Sequence, residues 1–119
     1  MFKCNFKLIQ FCKKMYSYYI KMEIVIMKSN NSKKKYDAII NGNKRISFGA
    51  AGYSDYTINK DDKRKDMYIK RHSNEDWTKQ NVASAAWLSR NILWEKKTLT
   101  EAIKNANAKY KDVKVKYKQ

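Results

Sequence analysis

Over Lys35–Phe48, apolar and polar side chains alternate, with one interruption at Asn41-Gly42-Asn43. Alternation with period two marks a half-buried strand, and Asn-Gly between two such runs marks a hairpin. A strict two-residue turn would pair Ile40 with Asn43 and Asp37 with Ile46, mixing polar and apolar residues on both faces. A three-residue loop instead pairs Ala38 with Ile46 and Tyr36 with Phe48. One face then carries Tyr36, Ala38, Ile40, Ile46 and Phe48, interrupted by Lys44; the other carries Asp37, Ile39, Arg45 and Ser47. Register follows the face that must be buried, so the longer loop is expected, with Asn43 in its left-handed position. Asp37 and Arg45 then form a weak pair on the solvent side. A two-stranded ribbon is not stable alone, so its apolar face must meet helices. The expected fold class is α+β: a small single domain, a β-hairpin packed against three or four helices.

The stretch Gly49-Ala50-Ala51-Gly52-Tyr53-Ser54-Asp55-Tyr56-Thr57 follows the hairpin. It lacks the glycine spacing of phosphate-cradling loops and reads as a tight crossing from strand to helix. In this reading Gly49 and Gly52 make the turn, Asp55 supplies cap or turn bonds, and Tyr53 and Tyr56 seal the corner. A helix is expected from Asp61 to Arg71 or His72, acidic at its start and basic at its end, with Tyr68 and Met67 or Ile69 inward. Asn74-Glu75-Asp76-Trp77 reads as a second start anchored by Trp77. Val82 to Trp94 reads as the central helix, with Val82, Ala85, Ala86, Ser89 and Leu93 on one stripe and Trp87, Leu88 and Ile92 beside it. Thr98 and Glu101 form a capping box. The helix after it repeats Leu99, Ala102, Ile103, Ala106 and Tyr110 on one face.

The chain has 119 residues and net charge +16, enough for one domain with a modest core. Residues 1–35 hold nine lysines against one glutamate, and residues 104–119 hold six lysines against one aspartate. The middle is nearly balanced, a pattern of basic arms that attract nucleic acid, anionic lipid or acidic protein. Expected boundaries are therefore a basic aromatic extension or linker at 1–32, an α+β domain at 33–110 and a basic tail at 111–119. The extension has three readings: a surface-lying amphipathic segment, an extra strand or helix around Ile24-Val25-Ile26, or sequence upstream of the natural start, with Met15, Met22 and Met27 as later starts. Lysines break every window long enough to span a membrane, so membrane association is disfavoured. The tail alternates valine and lysine and reads as an edge strand or a segment ordered by a partner. Cys4 and Cys12 read as free thiols, and no metal or cofactor site is expected.

Lys60, Lys63, Arg64, Lys65, Lys70 and Arg71 form the densest basic cluster within the domain, and Arg90 is a further candidate phosphate contact. Asp61, Asp62 and Asp66 dilute the cluster. His72 lacks a nucleophile placed with it and reads as a surface or capping residue. Trp77, Trp87 and Trp94 read as core or interface residues rather than base-stacking platforms. Asp37, Asp55, Asp61, Asp62 and Asp66 lack a diagnostic metal spacing, which makes nuclease activity the weakest reading.

The motifs Ile46-Ser47-Phe48-Gly49, Gly52 to Thr57, Asp61 to His72, Trp77, Ala85 to Arg90, Leu93-Trp94 and Thr98 to Ile103 resemble, in order and spacing, small uncharacterised proteins of nucleocytoplasmic large DNA viruses. The resemblance spans roughly residues 33–105, and the flank before Lys33 departs from it. It implies a viral protein in the host cytoplasm or the virion, and it brings no catalytic residue. The expected function is a non-catalytic virion or assembly component that contacts genome, acidic protein or viral structural proteins through lysine-rich arms. The alternative is a nucleic-acid-binding accessory protein using Lys60–Arg71.

Overall fold

A computed structural model describes residues 22–119. Cys4, Cys12 and the first part of the expected extension lie outside the described residues. The fold is a small single α+β domain. Its mixed four-stranded sheet, packed against helices, has the order β3-β2-β1-β4. The strands are β1 (Met22–Lys28), β2 (Lys34–Ile40), β3 (Lys44–Ala50) and β4 (Val113–Tyr117). The expected hairpin is β2–β3, and its register is the expected one: Tyr36 faces Phe48 and Ala38 faces Ile46. Asn43 does not take the left-handed position. Asn41 (φ 52°) and Gly42 (φ 77°) do, and Asn43 N–H closes the turn on Ile40 C=O at 3.1 Å. The turn is thus tight, and Asn43 is the extra residue that brings Ile40 opposite Lys44. Asn41 also ties the turn to β1, because its side-chain oxygen accepts from Glu23 N–H at 2.8 Å.

The hairpin is half of the sheet. β1 pairs antiparallel with β2, Ile24 opposite Ile40 and Ile26 opposite Ala38, and β4 runs parallel to β1 with Ile24 opposite Val115. Both strands lie outside the stretch 33–110 read as the domain. Ile24, Ile26, Ala38, Ile40, Phe48, Val113 and Val115 make one apolar face, alternate residues on each strand as the pleat requires. Asp37 lies on the opposite face, yet it is no loosely held surface residue. It is only 3 % exposed and accepts from Arg45 at 2.5 Å and Ser47 at 2.6 Å. Buried carboxylates need such partners.

The helices cross one face between β3 and β4. They are α1 (Tyr56–Asn59), α2 (Asp62–Arg71), α3 (Ala85–Leu88, continued by a π-helical turn, Ser89–Leu93) and α4 (Leu99–Lys109). α2 and α4 fall where the sequence places them, with Asp61 and Thr98 as their N-caps. Tyr68 alone is buried on α2, and Met67 points outward. The central helix starts three residues later than expected. Ala83 adopts φ 70°, which breaks a helix, and Ser84 then caps α3 by accepting from Trp87 N–H at 3.1 Å. Asn74–Trp77 starts no α-helix; a short 3-10 turn, Lys79–Asn81, follows it. The expected stripe is also rotated. Trp87, Leu88, Asn91, Ile92 and Leu93 are buried and Ala85 is exposed. The π-turn, seen in Trp94 N–H donating to Ser89 C=O at 3.2 Å, carries three consecutive residues inward. No helix among the described residues is long and apolar enough to cross a membrane.

Candidate nucleic-acid interface

The glycine stretch is the joint of the molecule, although it begins inside β3. Gly49 has φ 78°, and a Cβ there would lie 2.8 Å from Leu93 Cδ1, so the end of α3 packs directly on bare backbone. Ala51 N–H donates to Lys33 C=O at 3.0 Å and Tyr53 N–H to Ala50 C=O at 3.4 Å. Asp55, 2 % exposed, caps α1 by accepting from Thr57 N–H at 2.9 Å, and it also accepts from the Thr57 hydroxyl. Lys35 reaches the same carboxylate at 2.6 Å, so strand β2 is tied to the joint by a nearly buried ion pair. Ser54 Oγ accepts from Asn59 Nδ2 at 3.1 Å. Tyr56 is buried and donates to Asp62; this bond first, and then burial, pushes its hydroxyl up to about 12. Tyr53 does not seal the corner. It is 74 % exposed, standing beside Gly52 (φ 87°) at the tip of a loop bonded on both sides.

The seven basic residues expected to meet phosphate divide in two. Lys60, itself left-handed at φ 53°, donates to Thr57 C=O at 2.9 Å. Lys65 donates to Glu95 C=O at 2.9 Å and lies over the Tyr56 ring. Arg90 pairs with the Glu95 carboxylate and lies 5.4 Å over the Trp77 ring. Lys65 and Arg90 bind parts of the fold together, and Lys60 closes its own turn. Lys63, Arg64, Lys70 and Arg71 are exposed on α2, and among the described residues none of them has an ion pair. Two of the three acids that dilute them are engaged, Asp61 accepting from Lys63 and Arg64 backbone N–H and Asp62 from Tyr56, while Asp66 stays exposed on α2 between Lys63 and Lys70. The tail lysines Lys114 and Lys116 stand on β4, not on an arm, and Lys116 meets Glu23 at 3.4 Å.

The tryptophans have different tasks. Trp87 is fully buried, edge-on to Tyr110 at 5.1 Å. Trp94 stacks on Tyr68 at 4.5 Å with planes 6° apart, and Trp77 lies nearly parallel to Tyr68 at 6.4 Å. Burial, with the Glu75 charge second, pushes the Tyr68 hydroxyl up to about 12. His72 ends α2, 4.3 Å from the Tyr68 ring and 2.8 Å from Glu75, in the capping place expected of it. Two adjoining clefts open beside this column. A cleft of about 440 Å³ runs between the end of β3 and α3, with Lys34, Arg71 and His72 among its lining. Another, about 210 Å³, lies between Tyr53 and α2, lined by Tyr53, Ser54, Arg64, Met67, Arg71 and Trp94. Sequence reasoning passes over Tyr53 and Lys34 as contacts; the signal for Tyr53 was its place in a loop between two glycine-assisted turns and a cap.

No curated protein and no solved structure matches the chain. Residues 24–72, from β1 through α2 and including the joint, match the model of a family described as a family of unknown function (DUF5754). That match starts ahead of Lys33, so β1 from Ile24 onward lies within the family-like stretch. Over these residues the chain is similar to an uncharacterised protein family.

Proposed function

We propose that the chain is a non-catalytic, nucleic-acid-binding protein of a large DNA virus, working in the host cytoplasm or within the particle. The observation that supports this best is the division of the cations. Some are spent on the fold, while Lys63, Arg64, Lys70 and Arg71 stand exposed along one short helix with no ion pair among the described residues, outnumbering the one exposed acid between them, Asp66. Phosphates neutralised by such side chains release counterions, so binding is tight at low salt and falls steeply as salt rises. The viral setting rests on the motif resemblance set out above. Four of the five carboxylates open to a nuclease reading have structural employment: Asp37 with Arg45, Asp55 with Lys35, Asp61 at a cap, Asp62 with Tyr56; Asp66 is exposed on α2.

The experiment compares two full-length variants in a salt series with duplex and single-stranded DNA. One carries Lys63→Gln, Arg64→Gln, Lys70→Gln and Arg71→Gln, the other Lys111→Gln, Lys114→Gln, Lys116→Gln and Lys118→Gln. The helix variant is expected to lose most of its affinity, with a salt slope shallower by up to about four contacts. Loss confined to the second variant would favour the other reading, a virion or assembly component gripping genome or acidic protein through its lysine-rich ends. The amount of protein in purified particles then tests packaging.

A further inference from the structure

We propose that the cleft between Tyr53 and α2 holds one unstacked base of a single-stranded nucleic acid, with Tyr53 and Trp94 as its aromatic walls and Arg64 and Arg71 on the adjoining phosphates. This rests on the nucleic-acid reading above and specifies the ligand of that surface.

An exposed tyrosine alone would mean nothing. This one sits on a braced loop. The backbone bonds of Ala51 and Tyr53 and the Asp55 cap with its Lys35 bond hold the loop, while the ring itself is 74 % exposed. A braced aromatic loses little conformational freedom when it takes a partner. The same cleft is lined by Trp94, one face of which is already taken by Tyr68, and by Met67, 52 % exposed. Arg64 and Arg71 line it too, and neither has an ion pair among the described residues.

Apolar ring surface beside two unpaired guanidinium groups suits a ligand with a flat apolar face joined to an anion. A nucleotide has that chemistry. A base paired and stacked in a duplex presents only its edges, so the ring walls favour single strands. The larger cleft shares Tyr53, Ser54, Arg71 and Trp94 with this one and continues past Lys34 and His72, which gives the strand a path beyond the first base. Its two carboxylates, Asp55 and Glu75, are held by Lys35 and His72.

The test uses the full chain, a labelled oligo-dT, a duplex of equal length and an acidic peptide of alternating glutamate and leucine, read by anisotropy in a salt series. Tyr53→Ala is expected to weaken oligo-dT binding about tenfold with an unchanged salt slope, and to leave duplex binding within twofold. Tyr53→Phe, which keeps the ring, is expected to bind as the wild type. Arg71→Gln is expected to weaken binding and lower the salt slope by about one. Thermal melts of each variant check the fold, and Tyr53, 74 % exposed, is no part of the buried core. If oligo-dT binds but Tyr53→Ala binds it as well as the wild type, the base site is overturned while the nucleic-acid reading stands. If no nucleic acid binds at low salt, both fall. If Tyr53→Ala weakens the acidic peptide as much as oligo-dT, the cleft is a protein-binding site and the proposal is overturned.

Discussion

At the scale of single residues, two glycines that look alike in the sequence do different work. Both adopt positive φ, so alanine at either is strained by about 1–2 kcal/mol. Only at Gly49 does the new Cβ also collide, 2.8 Å from Leu93 Cδ1 and 3.3 Å from Lys35 Cβ; at Gly52 nothing lies within 4 Å. Gly49→Ala should therefore be the worse variant, by a further ~1–3 kcal/mol of overpacking. Urea denaturation of both checks this, and equal losses would mean that α3 does not bear on that backbone. Asp37 offers a test by pH. Burial pushes its carboxyl up, but hydrogen bonds from Ser47, Ser29 and Arg45, with the Arg45 charge, more than offset it, and the group titrates below its ordinary 3.8. A lowered folded value means stabilisation that is complete above the unfolded value and lost as pH falls through the folded one. Asp37→Asn should thus cost about 1–3 kcal/mol at neutral pH, with the deficit shrinking below pH ~4. A deficit that stays constant into acid would assign the loss to shape rather than charge.

At the scale of elements, the edge strand β4 is closed by a side chain. Asn107 on α4 donates to Val115 C=O at 2.9 Å and accepts from Val115 N–H at 2.7 Å, taking the place of a neighbouring strand. An uncovered edge invites pairing with other chains. Asn107→Ala should leave both backbone groups without that partner, cost about 1–3 kcal/mol and speed hydrogen exchange at the Val115 amide. Unchanged exchange there would refute the clasp. The elements also show which sequence signals carry weight. The α2 and α4 boundaries were legible because a cap, a dipole-matched charge pattern and a regular apolar repeat agreed at each. The start of α3 was not, because left-handed Ala83 is decided by its surroundings, and a π-turn shifts the face that periodicity assumes.

At the scale of the whole molecule, the basic tail, read as either an edge strand or a segment ordered by a partner, is the edge strand and part of the core. Val113 and Val115 are buried against Ile24 and Ile26, and β4 is the sheet's only parallel partner for β1 among the described residues. Truncation after Tyr110 should therefore cost several kcal/mol, since each buried valine contributes about 1.5–3 kcal/mol. The check is the denaturation midpoint of the shortened chain; a midpoint equal to the full chain's would return residues 111–119 to the status of an arm. For the same reason, charge on this segment is better tested by lysine substitution than by deletion. The sequence by itself determined the α+β class, the β2–β3 register and the two capped helices, because those follow from local periodicity and from which face must be buried. Both flanking strands were open readings of the sequence, Ile24-Val25-Ile26 as an extra strand and the tail as an edge strand; only the tertiary structure decided that β4 pairs with β1, since pairing between residues some ninety positions apart leaves no local mark. It also decided which cations are bound up in the fold and which stand exposed on α2, and that Tyr53 stands out beside them. Partners such as Glu95 for Arg90 and Lys35 for Asp55 are set by how distant segments meet, which composition and spacing do not encode.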